Sequence, residues 1–176
     1  MNAHPGGEAH TRRMLALASP AAGASILDLG AGAGAAVHLL RGLGYDAEGI
    51  DLEPRSGIVR KGDLLHTGLP DASRDAVISQ CSFWLSGDVP GALRESFRIL
   101  RPGGVLMLSD VEFDPLRPMA EAAGFHILYE EDMTSLWKDY YIEAIWRGDS
   151  LCCELPEKKC SYRLLIGRKD DTNGSV

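Results

Sequence analysis

Two kinds of segment alternate along this chain: short runs of consecutive apolar residues, and stretches in which apolar residues recur at helical spacing. The runs are typical of strands buried on both faces, and the recurring positions are typical of amphipathic helices. The predicted strands are 25–30, 46–53, 56–63, 75–82, 104–111, 125–131 and 160–169. The predicted helices are 8–19, 35–44, 89–101, 115–124 and 134–148. This alternation predicts an α/β fold with a doubly wound, seven-stranded, mostly parallel sheet.

One connection in this pattern is unusually short. Parallel strands normally need a crossover helix between them, yet only the turn-like sequence PRSGIV follows Glu53. We therefore expect an abbreviated crossover between the second and third strands. The chain shows no internal repeat and no linker, so residues 1–169 are predicted to form a single domain, with 1–24 as an N-terminal helix or lid. The polar residues 170–176 are predicted to be a disordered tail.

Composition and charge narrow the choice of partners and location. The chain has 176 residues, 45% of them apolar and 24% charged, which is an ordinary globular balance. Its net charge of −7 disfavours a nucleic-acid substrate, because an acidic protein gains nothing from a phosphate backbone. The longest apolar runs are far too short for a membrane span, and the stretch after Arg12 and Arg13 is shorter than the core of a secretion signal. We therefore expect a cytoplasmic protein, whose oligomeric state the sequence leaves open.

The cysteines do not form the pattern of a structural metal site. They are Cys81, Cys152, Cys153 and Cys160, and no C-x-x-C pair is present. We therefore expect no metal, and interpret these residues as thiols in a reducing compartment.

A glycine-rich loop, DLGAGAG from Asp28 to Gly34, lies between the first strand and the first internal helix. Its glycines allow a tight turn and close approach of a ligand, and the helix points its first amides at that ligand. Asp51 at the end of the second strand suits the hydroxyls of a ribose. This pattern hardly distinguishes a dinucleotide from S-adenosylmethionine as the ligand, because Gly30-x-Gly32-x-x-Ala35 also satisfies the dinucleotide-binding fingerprint.

Four segments taken together resolve this ambiguity. ILDLGAGAG, GIDLEP, GDLLHTGLPDASRDAVISQ and ALRESFRILRPGGVLMLSD resemble, in order and spacing, the class I S-adenosylmethionine-dependent methyltransferases. The likeness covers about residues 25–130 and is strongest to the branch with quinone-biosynthesis and arsenite methyltransferases. It implies an antiparallel last strand, S-adenosylmethionine or S-adenosylhomocysteine as the cofactor, and methyl transfer to a small-molecule acceptor.

The resemblance also implies a set of cofactor-binding residues. Asp28 would lie near the methionine amino group, Asp51 would hold the ribose, and Asp63 would face the adenine amino group. The full set is Asp28, Gly30, Ala31, Gly32, Asp51, Leu52, Asp63, Leu64, Gln80 and Cys81. Ser82 would join the last two at the methyl end.

The chain departs from the family pattern on the adenosine side. Arg74 stands where the family usually has phenylalanine, and the short crossover after the second strand removes part of one wall. Both departures predict a more open adenosine side. The family also predicts that the segment HPGGEAHTRR, residues 4–13, folds over the cofactor as a lid, with Pro5-Gly6-Gly7 as its hinge. The alternative is a frayed terminus.

The sequence shows no convincing catalytic constellation, and the reaction needs a base only if the acceptor must lose a proton. Three residues are candidates. Cys81 matches a cysteine of the arsenite methyltransferases, but it suits packing beneath the cofactor equally well. His66 follows Asp63 in a loop and is otherwise a solvated histidine. Tyr140 belongs to a predicted aromatic helix face with Trp137, Tyr141 and Ile145, which either covers the site or packs the helix on the sheet.

Three alternative functions stay open at this point. The glycine loop alone allows a nicotinamide-dependent oxidoreductase. Because the sequence shows no obvious catalytic base, a non-catalytic S-adenosylmethionine-binding protein also stays open. Cys81, together with Cys152, Cys153 and Cys160, allows a thiol or metalloid methyltransferase.

Overall fold

The computed structural model describes residues 4–148 and 159–170. The helices are α1 (Gly7–Ala18), α2 (Ala35–Gly42), α3 (Val89–Ile99), α4 (Leu116–Ala122) and α5 (Thr134–Arg147). The strands are β1 (Ser25–Leu29), β2 (Asp46–Asp51), β3 (Val59–Lys61), β4 (Arg74–Gln80), β5 (Leu100–Glu112), β6 (Phe125–Asp132) and β7 (Ser161–Lys169). The described residues contain no helix that is long and apolar enough to cross a membrane.

The seven strands form one sheet in the order β3-β2-β1-β4-β5-β7-β6. Every pair from β3 through to β5 is parallel, whereas β7 runs antiparallel to both β5 and β6. The predicted α/β sheet, with its antiparallel last strand, is therefore confirmed. The strand order reverses at β1 and β4, and in such sheets ligands bind beyond the carboxyl ends of the strands at this point.

Apolar side chains alternate between the two faces of the sheet and form two cores. In β1, for example, Ile26 belongs to one core, while Leu27 and Leu29 belong to the other. Residues of α1, α2 and α5 pack in the first core, and residues of α3 and α4 pack in the second. The sheet is thus covered by helices on both sides, as its nearly continuous apolar strands predict.

The abbreviated crossover is also observed, since no helix lies between Asp51 and Val59. Two details differ from the prediction. The helix predicted to reach residue 101 ends at Ile99, because β5 already begins at Leu100, which pairs with Arg74 on β4. A short 3₁₀ helix, Trp84–Ser86, follows β4 where no element was predicted.

Candidate cofactor site

A cavity of about 880 Å³ opens at the carboxyl ends of β1, β2 and β4. Its lining includes every cofactor residue that the sequence predicts: Asp28, Gly30, Ala31, Gly32, Asp51, Leu52, Asp63, Leu64, Gln80 and Cys81. These residues come from segments up to 53 positions apart, and they meet because parallel strands end at the same edge of the sheet. The lining residues outside the predicted set include His4 and Leu85.

The glycine-rich loop is fixed to both neighbouring strands. The amides of Gly30 and Ala31 donate hydrogen bonds to the carbonyl oxygen of Ile50, at 2.9 and 3.0 Å. The Ser82 hydroxyl donates to the carbonyl oxygen of Gly30 at 3.2 Å. Gly30 has φ +78°, and a β-carbon there would overlap the Ser82 side chain. The loop therefore needs glycine at this position for both its conformation and its close packing.

Asp51 is oriented by two backbone amides. Its Oδ2 accepts a hydrogen bond from the Gly32 amide at 2.8 Å, and its Oδ1 accepts one from the Glu53 amide at 2.9 Å. Each carboxylate oxygen can accept a second hydrogen bond. The remaining acceptor positions are suited to a pair of neighbouring hydroxyls such as those of a ribose.

Asp28 is a buried carboxyl group in the cavity wall, with only 4% of the residue exposed. Burial, and secondarily the negative charge of Asp51, raises the pKa of Asp28 to about 7. Within residues 4–148 and 159–170, its carboxyl group has no hydrogen-bond partner. A buried acid without a partner is costly, so this position is prepared for a cationic or hydrogen-bond-donating ligand group.

The β3 side of the cavity is lined by Leu52, Asp63, Leu64 and Leu65. Leu64 is buried, whereas Leu52 is 58% exposed beside the short crossover. Asp63 Oδ1 accepts a hydrogen bond from the Leu65 amide at 2.8 Å, which fixes the turn. Arg74, the unusual residue in the family pattern, is not in the cavity lining and pairs with Glu48 on β2.

The opposite end of the cavity is formed by the turn after β4. Cys81 has φ +60°, a left-handed conformation that is uncommon for residues with a side chain and recurs at functional sites. Its Sγ lies 3.2 Å from the hydroxyl of Tyr162, which in turn lies 2.7 Å from Ser109 Oγ. Burial raises the pKa of the Tyr162 hydroxyl well above its usual value. The Cys81 thiol is therefore part of a buried hydrogen-bonded chain beneath the cavity.

Asp110 holds this turn, and sequence reasoning missed it. Its Oδ2 accepts hydrogen bonds from the amides of Ser82 and Phe83, at 3.1 and 2.7 Å. Burial raises the pKa of Asp110 to about 7, although these amide donors oppose the shift. Its place at the carboxyl end of β5, next to β4, is the signal that could have identified it.

His4 is the second residue that sequence reasoning missed. Its ring is buried against Gln80 and Thr11, and it lines the cavity from the N-terminal side. The segment HPGGEAHTRR predicted a hinge, a helix and a lid over the cofactor, without a role for His4 itself; the structure has the helix as α1 (Gly7–Ala18). A contact between positions 4 and 80 carries no local signal in the sequence.

The other two catalytic candidates lie outside the cavity lining. His66 is 86% exposed, with Nδ1 3.6 Å from Asp63 Oδ2. Tyr140 packs its ring against Tyr141, at 5.3 Å between centroids. Trp137 and Tyr141 are buried in the first core, whereas Ile145 is 55% exposed, so the aromatic face of α5 packs the helix on the sheet.

The thiol cluster of the metalloid alternative depends on four cysteines, of which the structure describes Cys81 and Cys160. Cys152 and Cys153 lie outside the described residues. Cys160 is half-buried just before β7, and burial raises the pKa of its thiol. No group of three or more potential metal ligands occurs among residues 4–148 and 159–170.

A comparison with known protein families identifies the part of the chain that forms this cavity. The profile of a family described as a methyltransferase domain matches residues 27–108, which carry the glycine loop, Asp51, Asp63 and the turn after β4. This match, the curated relatives and the fold support a class I S-adenosylmethionine-dependent methyltransferase domain. The cavity fits this family's cofactor, because Asp28 offers an unpaired acid for an ammonium group and Gly30 leaves no side chain in the way.

Curated relatives agree with this assignment. A malonyl-[acyl-carrier protein] O-methyltransferase of Serratia marcescens is 31% identical over 120 residues, covering 62% of this chain and 47% of the relative. A demethylmenaquinone methyltransferase of Tropheryma whipplei is 29% identical over 138 residues, covering 69% of this chain and 55% of the relative. An arsenite methyltransferase of Aquipseudomonas alcaligenes is 39% identical over 80 residues, covering 44% of this chain and 23% of the relative. The chain spans about half the length of the first two relatives.

Solved structures share the fold at low sequence identity. Phosphoethanolamine N-methyltransferase 2 of Haemonchus contortus, in complex with S-adenosyl-L-methionine, has a TM-score of 0.77 at 16% identity and covers 96% of this chain and 54% of that one. Geranyl diphosphate C-methyltransferase of Streptomyces coelicolor has a TM-score of 0.71 at 16% identity and covers 92% of this chain and 78% of that one. At 16% identity, the likeness to these two structures shows a shared fold and nothing more.

Proposed function

We propose that this protein binds S-adenosylmethionine in the cavity and transfers its methyl group to a small-molecule acceptor. The observation that carries the proposal is the pairing of two acids in one cavity: Asp28, buried without a partner, and Asp51, oriented by two backbone amides. Asp28 is suited to an ammonium group and Asp51 to a ribose. The ten predicted cofactor residues are proposed to form the binding site.

The sulfonium of the cofactor supplies the reactive methyl group, so the protein has to position the acceptor and exclude water. The turn after β4 provides the surface for this task. Asp110 fixes the backbone of Ser82 and Phe83, and Leu85 is 55% exposed at the cavity rim. We propose that the acceptor lies against this turn, where Cys81 packs beneath the reacting groups rather than taking a proton.

The alternative functions have unequal support. The family match covers the glycine loop, so the nicotinamide-dependent oxidoreductase has no observation in its favour. A thiol or metalloid methyltransferase is supported by two arsenite methyltransferases among the relatives, but the Cys81 thiol is engaged by the buried Tyr162. The cytoplasmic location stays a prediction from the sequence.

Ligand-induced stabilisation tests cofactor binding directly. S-adenosylhomocysteine should raise the melting temperature, whereas NAD should not. Gly30→Ala should abolish this shift, because a β-carbon there overlaps Ser82. Gly23→Ala is the matched control: Gly23 has φ +72°, close to the φ of Gly30, but a β-carbon there meets nothing within 4 Å.

The result decides between the proposals. Stabilisation by NAD alone would refute S-adenosylmethionine binding. If S-adenosylhomocysteine binds, transfer of an isotopically labelled methyl group to a panel of small acceptors tests catalysis. Binding without any transfer would favour the non-catalytic protein.

A further inference from the structure

The loop after β3 carries residues that are proposed to contact the adenine base. We call residues 62–69 the base loop, of which positions 63–65 line the cavity. Its first residue is held by the sheet, because the amide of Gly62 donates to the carbonyl oxygen of Asp51 at 3.0 Å. The sheet gives little further support, since β3 is a three-residue edge strand that pairs with β2. The rest of the base loop therefore needs an anchor elsewhere in the fold.

That anchor is Glu95, a buried glutamate on α3. Glu95 and Thr67 of the base loop are only 9% and 6% exposed. Glu95 Oε1 accepts two hydrogen bonds from Thr67, one from its backbone amide at 2.8 Å and one from its hydroxyl at 2.6 Å. The same hydroxyl oxygen accepts a hydrogen bond from the Leu69 amide at 3.2 Å. A carboxylate on α3 thus fixes the second half of the base loop.

Arg98, one turn further along α3, completes this connection. Its Nε and Nη2 donate to Oε2 and Oε1 of Glu95 at 2.8 and 2.7 Å, and its Nη1 donates to the carbonyl oxygen of Leu69 at 2.8 Å. Burial disfavours a charge on Glu95, yet the hydrogen bonds from Arg98 and Thr67 outweigh it and lower the pKa of this carboxyl group to about 2. Glu95 is therefore an ionised acceptor for four donors at neutral pH.

The anchor is connected to the cavity through the backbone of the base loop. Neither Glu95 nor Thr67 belongs to the cavity lining. Asp63 does, and it lies four residues before Thr67. Its Oδ1 accepts a hydrogen bond from the Leu65 amide at 2.8 Å, and its carbonyl oxygen accepts one from the His66 amide at 3.2 Å. Because these bonds make positions 63–67 one compact turn, a displacement of Thr67 moves the Asp63 carboxylate as well.

We propose that Glu95 is a positioning residue for recognition of the adenine base, which holds the base loop so that the Asp63 carboxylate meets the amino group of adenine. This inference rests on the proposed cofactor binding. It gives α3, none of whose residues lines the cavity, a role in the choice of nucleoside.

Two ligands that differ at one position of the base test this role by isothermal titration calorimetry. S-inosylhomocysteine carries an oxygen where S-adenosylhomocysteine carries the amino group, so it offers Asp63 an acceptor in place of a donor. The unaltered protein should bind S-adenosylhomocysteine about 10- to 100-fold more tightly, as expected for a hydrogen bond to a charged group. Asp63→Ala should remove most of this preference.

Glu95→Gln leaves the cavity lining unchanged but disturbs the anchor. In either orientation the new NH₂ group faces a donor, that of Thr67 or that of Arg98, so at least one hydrogen bond is lost. The preference for adenine should narrow about three- to tenfold. Thr67→Val lacks the hydroxyl and should narrow it about two- to fivefold, whereas Thr67→Ser retains the hydroxyl and should keep the preference.

Glu121→Gln is the matched control for the loss of a glutamate charge. Glu121 lies on α4 and also pairs with an arginine of its own helix, Arg117, but its side chain is exposed. This variant should bind both ligands as the unaltered protein does. Melting temperatures of the ligand-free variants show that each is folded under the conditions of the titrations.

The outcomes separate this inference from the proposed function. If the unaltered protein binds neither ligand, the proposed cofactor site is wrong. If it binds both with equal affinity, Asp63 does not recognise the base and the inference is overturned. The same holds if Glu95→Gln and Thr67→Val lower the melting temperature but keep the full preference, because Glu95 then serves stability alone. If Glu95→Gln does not fold, the comparison of Thr67→Val with Thr67→Ser decides the question.

Discussion

Replacing Asp28 with asparagine should remove most of the pH dependence of S-adenosylhomocysteine binding. In the ligand-free protein, burial and the nearby charge of Asp51 raise the pKa of Asp28 to about 7. An ammonium group of the ligand is bound best by the ionised carboxylate. Binding should therefore strengthen as the pH rises through about 7, where the free protein releases this proton.

The size of the effect follows from the ionised fraction. With a pKa of about 7, about one-tenth of Asp28 is ionised near pH ~6 and about nine-tenths near pH ~8. The affinity should therefore rise about ninefold over this interval. Asparagine cannot ionise, so the variant should stay at or below the low-pH affinity of the unaltered protein throughout.

The same shift has an opposite consequence for the ligand-free protein. Because the folded-state pKa of Asp28 lies above its ordinary value of 3.8, the fold favours the protonated acid. The stabilising contribution is complete below this ordinary value and is lost as the pH rises towards about 7. Ligand-free Asp28→Asn should therefore melt at a higher temperature than the unaltered protein at alkaline pH.

Titration calorimetry at several values between about pH 6 and 8 checks the binding prediction. Asp63→Asn is the control, because Asp63 is a cavity carboxylate on the β3 side that accepts a hydrogen bond from the Leu65 amide. This control should keep the slope of affinity against pH. An equal slope in Asp28→Asn, or affinity that falls as the pH rises in the unaltered protein, would refute the assigned role of Asp28.

Three further substitutions test the surroundings of the site. Burial, followed by the charges of His4 and Arg13, lowers the pKa of His10 to about 4. The contribution of the neutral His10 to the stability of the fold is therefore complete above its ordinary pKa of 6.5 and is lost as the pH falls towards 4. Neither ring nitrogen of His10 has a partner among the described residues, so His10→Leu should raise the melting temperature and flatten this acid loss. Burial alone would raise the pKa of Glu95, but hydrogen bonds, led by those from Arg98, lower it to about 2. The contribution of Glu95 to the stability of the fold is therefore complete above its ordinary pKa of 4.5 and is lost as the pH falls towards 2. Glu95→Gln should cost about 1–3 kcal/mol in chemical denaturation near neutral pH, and an unchanged stability would contradict this network. Cys81→Ser should leave S-adenosylhomocysteine affinity within about threefold by calorimetry, since a hydroxyl can replace the thiol beside Tyr162; loss of arsenite methylation at unchanged affinity would instead support the metalloid alternative.

The sequence was sufficient for the parts of the site that depend on strand order. Asp28, Asp51 and Gln80 each stand near the carboxyl end of a predicted parallel strand, and topology alone brings such positions to one edge. The abbreviated crossover was predictable for a similar reason, since a helix cannot fit between Glu53 and Val59.

The sequence was insufficient where a contact depends on packing between distant segments. His4 reaches Gln80 only because α1 packs on the sheet, and no local pattern at either residue encodes that contact. The aromatic spacing of α5 predicted a common face, but periodicity does not say what a face touches. Trp137 and Tyr141 contact the core, and neither belongs to the cavity lining.

The antiparallel strand β7 gives this fold a particular order of assembly during synthesis. It is the last strand along the described chain, yet it lies between β5 and β6 in the sheet. A nascent chain that has emerged only as far as β6 therefore leaves one edge of β5 unpaired, and such edges invite aggregation. The same strand carries Tyr162, whose hydroxyl reaches Cys81 below the cavity. Translation must therefore pass β7 before either the sheet or the floor of the binding site is complete, and a chain terminated before Ser161 would have neither.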